Sequence, residues 1–252
     1  MHLLVYGPGR LGQAIVAAAR DAGWGTTLIG RPAPTGREPA PLADVVVDAS
    51  RGEAALANAA HALAGGNRRL ILATSGWDHE TARVRERLLA AGAAAVVAPN
   101  LALGAALFLR LTGSAAAWYA AAGGFEPSVV EWHRSGKADR PSGTARAIAR
   151  RIVASDARWA SPDPADDAHE TRPRLEVFGI RAGAAPGTHL VTFDGPGESI
   201  ELRLTARDRS AYADGALAAA RWLVAAPRDP GLHPFDAVVD DLLAAGRAAV
   251  PA

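Results

Sequence analysis

A stretch of fifteen residues, 131–145, combines the residue types that acid chemistry on a bound anion requires. His133 titrates near neutral pH and can donate a proton, and Lys137 places a positive charge four residues later. A Pro-Ser-Gly-Thr sequence then opens a helical pattern with Ser142 as its predicted N-cap. Free N–H groups at a helix start favour carboxylates and phosphates. We therefore predict a site in which an anion receives a proton, although the same residue types also occur in loops without a catalytic role.

A glycine-rich turn near the N-terminus is the second candidate site. It follows the apolar strand pattern of residues 1–6 without a gap and opens an amphipathic helical pattern. In that context the sequence G-x-G-x-x-G allows a tight turn, close approach of the backbone to a pyrophosphate and close packing of the helix on the strand. We predict a dinucleotide site rather than a turn without a ligand, with contacts from Gly7, Pro8, Gly9, Arg10, Leu11 and Gly12.

The residue that follows the second predicted strand bears on the choice of dinucleotide. Strand 25–29 is followed by Gly30 and Arg31, at the place where an NAD-specific domain usually has an acidic residue for the ribose hydroxyls. Arg31 can instead hold the 2′-phosphate of NADPH. We expect NADPH as the cofactor, with NADH as the alternative, and a solvated arginine is the other interpretation of this position.

Strand and helix patterns alternate through the first hundred residues. Apolar strands at 45–47, 70–74 and 94–98 are separated by helical patterns at 54–63 and 79–91. This alternation predicts a parallel sheet covered by helices, and ligands of such sheets bind at the carboxyl ends of the strands. The polar or kinked segments at those ends supply further candidate cofactor contacts, which are Ala73, Thr74, Ser75, Ala98, Pro99, Asn100 and Leu101.

The second half of the chain predicts a different architecture. A long helical pattern that ends at two glycines leads into strands separated by turns rich in glycine and proline, which favours an antiparallel or mixed sheet. The predicted fold class is α/β, with a Rossmann-type parallel-sheet domain and an inserted α+β substrate domain. We expect residues 1–104 plus 213–252 to form the dinucleotide-binding domain and residues 105–212 to form the substrate domain.

The composition excludes several classes of function. The 27 basic and 26 acidic residues leave no charge bias that would indicate a nucleic-acid or membrane surface. Without cysteine there are no disulfides, thiolate metal ligands or cysteine nucleophile. No apolar run approaches the roughly twenty residues of a membrane-spanning helix, and no leader pattern begins the chain. We expect a soluble, cytoplasmic protein with no nucleic-acid or membrane partner.

The stretch 131–145 resembles the motif of a known enzyme family. It reads E-x-H-x-x-x-K-x-D-x-P-S-G-T-A and is similar to the pattern of the 4-hydroxy-tetrahydrodipicolinate (dihydrodipicolinate) reductases of lysine and diaminopimelate biosynthesis. The resemblance implies that His133 is the proton donor and Lys137 a second catalytic residue, and that Gly143 and Thr144 bind a substrate carboxylate. It implies no metal.

Similarity to this family extends over nearly the whole chain, and its departures include two positions near the substrate site. Arg134 stands where the family usually has a second histidine, and it either grips a carboxylate with its forked guanidinium or indicates a different substrate. Leu204 replaces a usual histidine of the last strand, and His189 is expected to support the site rather than touch substrate. The resemblance also implies a homotetramer assembled through the substrate-domain sheet.

The resemblance implies NAD(P)H-dependent reduction of a small dicarboxylate. The expected reaction converts (2S,4S)-4-hydroxy-2,3,4,5-tetrahydrodipicolinate, with loss of water, to tetrahydrodipicolinate. The departures at Arg134 and Leu204 motivate an alternative, which is a diverged NADPH-dependent reductase of another cyclic imine or keto acid. Ala73, in place of a usual glycine, and Ala49 and Leu101, in place of usual phenylalanines, motivate the same alternative. A third hypothesis is a silent nucleotide-sensing module, against which the intact His133 and Lys137 argue.

Overall fold

The computed structural model describes residues 1–30, 38–98, 100–163 and 170–249. Arg31 and Pro99, both predicted cofactor contacts, lie outside the described residues. The chain divides into two compact units. The first unit contains Met1–Leu103 together with the chain from Arg209 onward, and the second contains Gly104–Asp208.

Among the described residues, strands and helices mostly alternate through the first hundred positions, and three of the later strands follow one another without a helix between them. In chain order they are β1 (His2–Tyr6), α1 (Arg10–Asp21), β2 (Gly25–Ile29), β3 (Val45–Asp48), α2 (Ala55–Ala64), β4 (Arg69–Leu72), α3 (Thr81–Ala91), β5 (Ala94–Val97), α4 (Leu103–Ala122), β6 (Glu126–His133), α5 (Gly143–Ser155), β7 (Glu176–Arg181), β8 (Gly187–Asp194), β9 (Ser199–Ala206), α6 (Ser210–Ala225), β10 (Gly231–Pro234) and α7 (Phe235–Ala249).

Among the described residues of the first unit, six parallel strands form one sheet in the order β10-β5-β4-β3-β1-β2. The central strands are mainly apolar because both faces of the sheet are covered; Leu3, Leu4 and Val5 are all fully buried. Helix α1 contributes its apolar face through Ile15 and Ala19, which are also fully buried. The predicted Rossmann-type sheet is confirmed.

Strand β10 was not predicted from the sequence. Its four residues, Gly-Leu-His-Pro, lack the apolar run that marked the other strands, and it forms a strand because it pairs in parallel with β5 at the edge of the sheet. Its first residue, Gly231, has a φ of 128°, a conformation that favours glycine. Tertiary pairing therefore decides this strand, and local propensity does not.

The second unit is built on a mixed sheet, as predicted. Its described strands follow the order β7-β6-β8-β9, with β6 parallel to β7 and antiparallel to β8. One face packs against α4 and α5, where Phe108 and Ile148 meet Val129, Val191 and Phe193 in an apolar cluster. Helix α4 ends where predicted, at two glycines with positive φ. No helix in the described part of the chain has the length and apolar character needed to cross a membrane.

Candidate functional site

Strand β6 brings two titratable side chains to the helix-covered face of the second unit's sheet. Side chains alternate along a strand, so Val129, Glu131 and His133 share one face. Val129 belongs to the apolar cluster, and Glu131, the next residue on that face, is fully buried. His133 ends the strand with 13% of its side chain exposed. The strand therefore carries the predicted proton donor from the core to an accessible position.

Glu131 is a buried carboxylate with four polar neighbours. Its Oε1 accepts hydrogen bonds from the backbone N–H of Ser142 at 2.9 Å and from Nη2 of Arg181 at 2.8 Å. Its Oε2 lies 3.1 Å from Nε2 of His133 and 3.5 Å from Nε2 of His189. Burial alone would raise the pKa of Glu131, but the hydrogen bonds from Ser142 and Arg181 prevail and lower it. The group is therefore an ionised carboxylate at neutral pH.

The pKa of His133 is lowered below the usual range for histidine. Burial contributes most to this lowering, because it disfavours the charged imidazolium. The Glu131 carboxylate acts in the opposite direction, while the positive charges of Lys137 and Arg181 lower the pKa further. His133 is therefore mainly neutral at pH 7 in the ligand-free protein, and a nearby anion would favour its protonated form.

His189 lies directly opposite Glu131 in the pairing of β8 with β6. The ring is buried, its Nε2 lies 3.2 Å from Oγ of Ser142, and it makes an edge contact with the ring of His133 at a centroid distance of 5.3 Å. Burial lowers the pKa of His189 to about 4, so the ring is neutral at pH 7. Leu204 is its partner on the other side, in β9.

Lys137 and the start of α5 surround a carboxylate that belongs to the chain itself. Oδ1 of Asp139 lies 2.7 Å from Nζ of Lys137. The pKa of Asp139 is lowered by this hydrogen bond first, and the backbone N–H of Gly143 also contributes. The ammonium of Lys137 thus already holds one carboxylate whose charge the start of α5 also favours, which is the chemistry predicted for the substrate's acid groups.

Arg181 fixes the loop that carries Lys137. Besides its ion pair with Glu131, its guanidinium donates hydrogen bonds to the backbone carbonyls of Lys137, at 3.3 Å, and Asp139. Arg181 was not among the predicted site residues, because it lies 50 positions beyond Glu131 in the chain and meets it only when β7 pairs with β6.

The remaining substrate candidates lie near this loop and helix start. Ser142 caps α5 as predicted, since its Oγ accepts the N–H of Ala145 at 3.1 Å. Gly143 is exposed and Thr144 is half-buried at the first positions of the helix. Arg134 has an exposed side chain, and its carbonyl accepts the N–H of Lys137 at 3.1 Å. The predicted catalytic and substrate-binding residues therefore all belong to the second unit.

The glycine-rich turn in the first unit joins β1 to α1, as predicted. Gly7 has a φ of 99°, and a Cβ at this position would lie 2.6 Å from the carbonyl oxygen of Ala49. A Cβ on Gly12 would lie 2.0 Å from the carbonyl oxygen of Gly7, so the helix packs tightly on the turn. None of the described atoms lies within 4 Å of a Cβ built on Gly9, which leaves space beside the helix start.

The other described cofactor candidates follow parallel strands and therefore lie at the same edge of the sheet as this turn. The N–H of Ala73 donates to the carbonyl of Asp48 at 2.8 Å, and Oγ1 of Thr74 donates to the carbonyl of Ser50 at 3.4 Å. Beyond β5, Oδ1 of Asn100 accepts the N–H of Ala102 at 2.9 Å. The positions in this group are Ala73, Thr74, exposed Ser75, buried Ala98, Asn100 and buried Leu101.

Asp48 supports this edge and was not among the predicted site residues. It is buried at the end of β3, and burial raises its pKa. Its Oδ1 accepts the backbone N–H of Ser50 at 2.9 Å and Nδ2 of Asn58 at 3.3 Å. The carboxyl thereby fixes the loop that contains Ala49, against which the Gly7 turn packs. Its position at a strand end was the signal available in the sequence.

Glu131, His133 and His189 offer side-chain ligand atoms within 4.8 Å of one another, a spacing that metal sites also show. Hydrogen bonds account for this spacing in the described structure. Both histidine Nε2 atoms face Oε2 of Glu131, while Oε1 is occupied by Arg181 and Ser142. Both oxygens of Glu131 are therefore engaged by groups of the second unit, while Nδ1 of buried His189 has no hydrogen-bond partner among the described atoms.

Comparison with known proteins identifies relatives that span both units. A family model described as "Dihydrodipicolinate reductase, C-terminus" matches residues 104–239. The 4-hydroxy-tetrahydrodipicolinate reductase of Methanopyrus kandleri is 36% identical over 200 residues, which cover 76% of this chain and 69% of the relative. The enzyme of the same name from Rhodopirellula baltica is 35% identical over 170 residues, or 65% of this chain and 60% of the relative.

A solved structure shares the fold. It is a dipicolinate-bound dihydrodipicolinate reductase from Paenisporosarcina sp. TG-14, similar to this chain with a TM-score of 0.70 and 18% sequence identity. The match covers 93% of this chain and 97% of the other. At this identity the likeness supports the fold alone, and it agrees with the parallel and mixed sheets described above.

Proposed function

The chain belongs to the dihydrodipicolinate reductase family, and we propose that His133 is the proton donor of its reaction, with Lys137 as a second catalytic residue. As a member of this family it is an NAD(P)H-dependent oxidoreductase of lysine and diaminopimelate biosynthesis. It reduces 4-hydroxy-tetrahydrodipicolinate to tetrahydrodipicolinate.

The observation that carries the assignment of residues is the carboxylate of Asp139 between Lys137 and the N–H of Gly143. It supports a carboxylate-binding position in the loop that directly follows the proposed donor at the end of β6. We propose that a substrate carboxylate takes the hydrogen bonds that Asp139 now accepts, with Thr144 and Arg134 as further contacts.

The chemistry asks for one proton and one hydride, and the substrate loses its hydroxyl group as water. A bound nicotinamide dinucleotide supplies the hydride. The imidazolium of His133 donates its N–H proton to a carbon of the substrate ring and keeps the electron pair of the N–H bond. The imidazole is then reprotonated from solvent. Two substrate carboxylates raise the pKa of the neighbouring His133 and so favour the protonated donor, and the ammonium of Lys137 stabilises negative charge that develops on the ring.

We propose the first unit as the cofactor-binding domain and the second as the substrate domain, with residues 1–104 plus 213–252 and 105–212 as their working limits. The turn Gly7–Gly12, with its space at Gly9, supports a pyrophosphate contact through the start of α1. We propose the segments 73–75 and 98–101 as further cofactor contacts. Arg31 is the basis for preferring NADPH over NADH.

A single assay tests the reaction and the cofactor choice. The oxidation of NADPH and, separately, of NADH is followed by absorbance while the substrate is generated in place by its synthase. The proposal predicts rapid, substrate-dependent oxidation with NADPH preferred, and Arg31→Glu should shift the preference toward NADH. A folded protein that binds a dinucleotide but oxidises neither would contradict it.

A further inference from the structure

One buried carboxylate holds both the proposed proton donor and the start of helix α5. Oε2 of Glu131 lies 3.1 Å from Nε2 of His133, and its Oε1 accepts the N–H of Ser142 at 2.9 Å. Ser142 directly precedes Gly143 and Thr144, whose N–H groups are the proposed carboxylate contacts. The position of the donor relative to the anion-binding helix start is therefore set by a single side chain that has no exposed surface.

We propose that Glu131 is a positioning residue for the reaction: it holds Nε2 of His133 and leaves Nδ1 as the nitrogen that gives the proton. The inference rests on the proposed function, because it takes His133 as the donor. In the imidazolium both nitrogens carry hydrogen. The Nε2–H bond points to Glu131, and the Nδ1–H proton moves to the substrate carbon while its electron pair stays on Nδ1, which leaves a neutral ring protonated at Nε2.

The packing around the ring agrees with this assignment. A Cβ built on Gly187, in the neighbouring strand β8, would lie 3.0 Å from Cε1 and 3.4 Å from Nδ1 of His133. The edge of the ring formed by Cε1 and Nδ1 therefore faces a residue without a side chain. A methyl group at this position would crowd that edge without changing the charges around the ring.

Glu131 also affects the pKa of His133, and this effect can be measured. The groups that act on the ring are Glu131 from its own strand, Arg181 from β7, His189 from β8 and Lys137 from the loop. The Glu131 anion favours the imidazolium, whereas the two cations oppose it. Replacing Glu131 by an uncharged side chain therefore lowers the pKa of His133. As the pH rises, the variant then loses activity at a lower pH than the wild type does.

The variant Glu131→Gln tests the proposal, with Glu126→Gln, an exposed position of the same strand, as the matched control. We expect Glu131→Gln to bind NADPH normally and to lower kcat by about tenfold or more. Its profile of kcat/KM against pH should fall at a more acidic midpoint than that of the wild type. Glu131→Asp, which keeps the charge, should keep the wild-type midpoint even if kcat drops.

An unchanged midpoint or an unchanged kcat in Glu131→Gln would overturn the proposal. Gly187→Ala separates position from charge, since it should lower kcat and leave the midpoint where it is. His133→Ala distinguishes this inference from the function on which it rests. Full activity in His133→Ala would contradict the role of His133 as proton donor. An inactive His133→Ala together with a Glu131→Gln variant that behaves like the wild type would refute only the role of Glu131.

If Glu131→Gln fails to fold, a measurement on the wild-type protein tests the proposed role of Glu131. Nitrogen-15 spectra of the histidine side chains, assigned with His133→Ala, report which ring nitrogen carries the proton in neutral His133. We expect the proton on Nε2, held toward Glu131, and the loss of the Nδ1 proton as the ring is titrated. A neutral ring that keeps its proton on Nδ1 would overturn the proposal.

Discussion

Lys137 is the only lysine among the 27 lysine and arginine residues of the chain. Arginine supplies every other basic side chain, so the presence of an ammonium at this position indicates that the site needs its particular properties. An ammonium is a compact point charge on a flexible stem that can lose its proton, whereas a guanidinium is planar and stays charged. The 2.7 Å contact of Nζ with the Asp139 carboxylate fits a point charge.

The exchange Lys137→Arg should therefore fail to preserve activity although it preserves charge. We expect kcat/KM to fall by about tenfold or more, because the larger planar group cannot reproduce the position of Nζ. Steady-state kinetics with the substrate generated in place measure the effect. Arg146→Lys, at an exposed position of α5, is the converse exchange and should leave the kinetics unchanged. Wild-type kinetics in Lys137→Arg would show that charge alone is needed.

The buried imidazole of His189 predicts a loss of stability at acidic pH. Its pKa is about 4 in the folded protein and near 6.5 when unfolded, so the unfolded chain binds more protons between these values. Stability contributed by neutral His189 is complete above pH 6.5 and is lost as the pH falls toward 4. Thermal unfolding from pH 7 to 4.5 should show a flatter decline in His189→Gln than in the wild type. Equal slopes would contradict this, and the exposed His79→Gln serves as the control.

The hydrogen-bonded cluster of Glu131, His133 and His189 should need no metal. Both carboxylate oxygens of Glu131 are already engaged by side chains or a backbone group of the second unit. Dialysis against a chelator should leave the turnover and the melting temperature unchanged. A loss of activity that zinc or another divalent cation restores would contradict this expectation.

At the scale of single elements, the sequence predicts what local pattern decides. The start of α5 at Ser142 followed from capping chemistry and two adjacent glycines ended α4, because both are decided by neighbouring residues. The pairing of Glu131 with His189, 58 positions later, depends on the register of β6 with β8, and an alternating pattern in one strand cannot reveal its partner. His189 was expected from the sequence to support the site, whereas its partner Glu131 and the contacts of Arg181 emerged only from the fold.

The cap of α5 gives a prediction at this scale. Ser142→Ala removes the hydroxyl that accepts the N–H of Ala145 and contacts His189. Loss of an N-cap costs about 1 kcal/mol, so we expect a lower free energy of unfolding together with a raised KM, since the same helix start is the proposed carboxylate contact. Denaturant unfolding and kinetics measure the two effects, with Ser199→Ala, exposed at the start of β9, as control. A change in stability without a change in KM would argue against the carboxylate contact.

At the scale of the molecule, the outer face of the second unit's sheet has an apolar part on β6 and β7. Cross-strand pairing places Val130 beside Phe178 and Trp132 beside Ile180 on the face opposite Glu131. Phe178 is 67% exposed, which is unusual for so large an apolar side chain. We propose that a second copy of the chain covers this face in a homo-oligomer, and the family resemblance suggests a tetramer.

This proposal predicts the effect of a charge on that face. Phe178→Glu should reduce the molar mass measured by light scattering during size exclusion, because an ionised carboxylate cannot be buried there without a partner. Leu89→Glu, at an exposed position of the first unit, should leave the mass unchanged. A monomeric wild type would contradict the proposal.

The assignment of His133 as the proton donor is the central claim, and one comparison tests it most directly. Turnover of His133→Ala and of the wild type is measured side by side with the hydroxy-tetrahydrodipicolinate substrate, together with the affinity of each for NADPH. The claim predicts a loss of kcat of about a hundredfold or more with unchanged NADPH affinity, since only the proton transfer is removed. A His133→Ala variant that turns over like the wild type would contradict it.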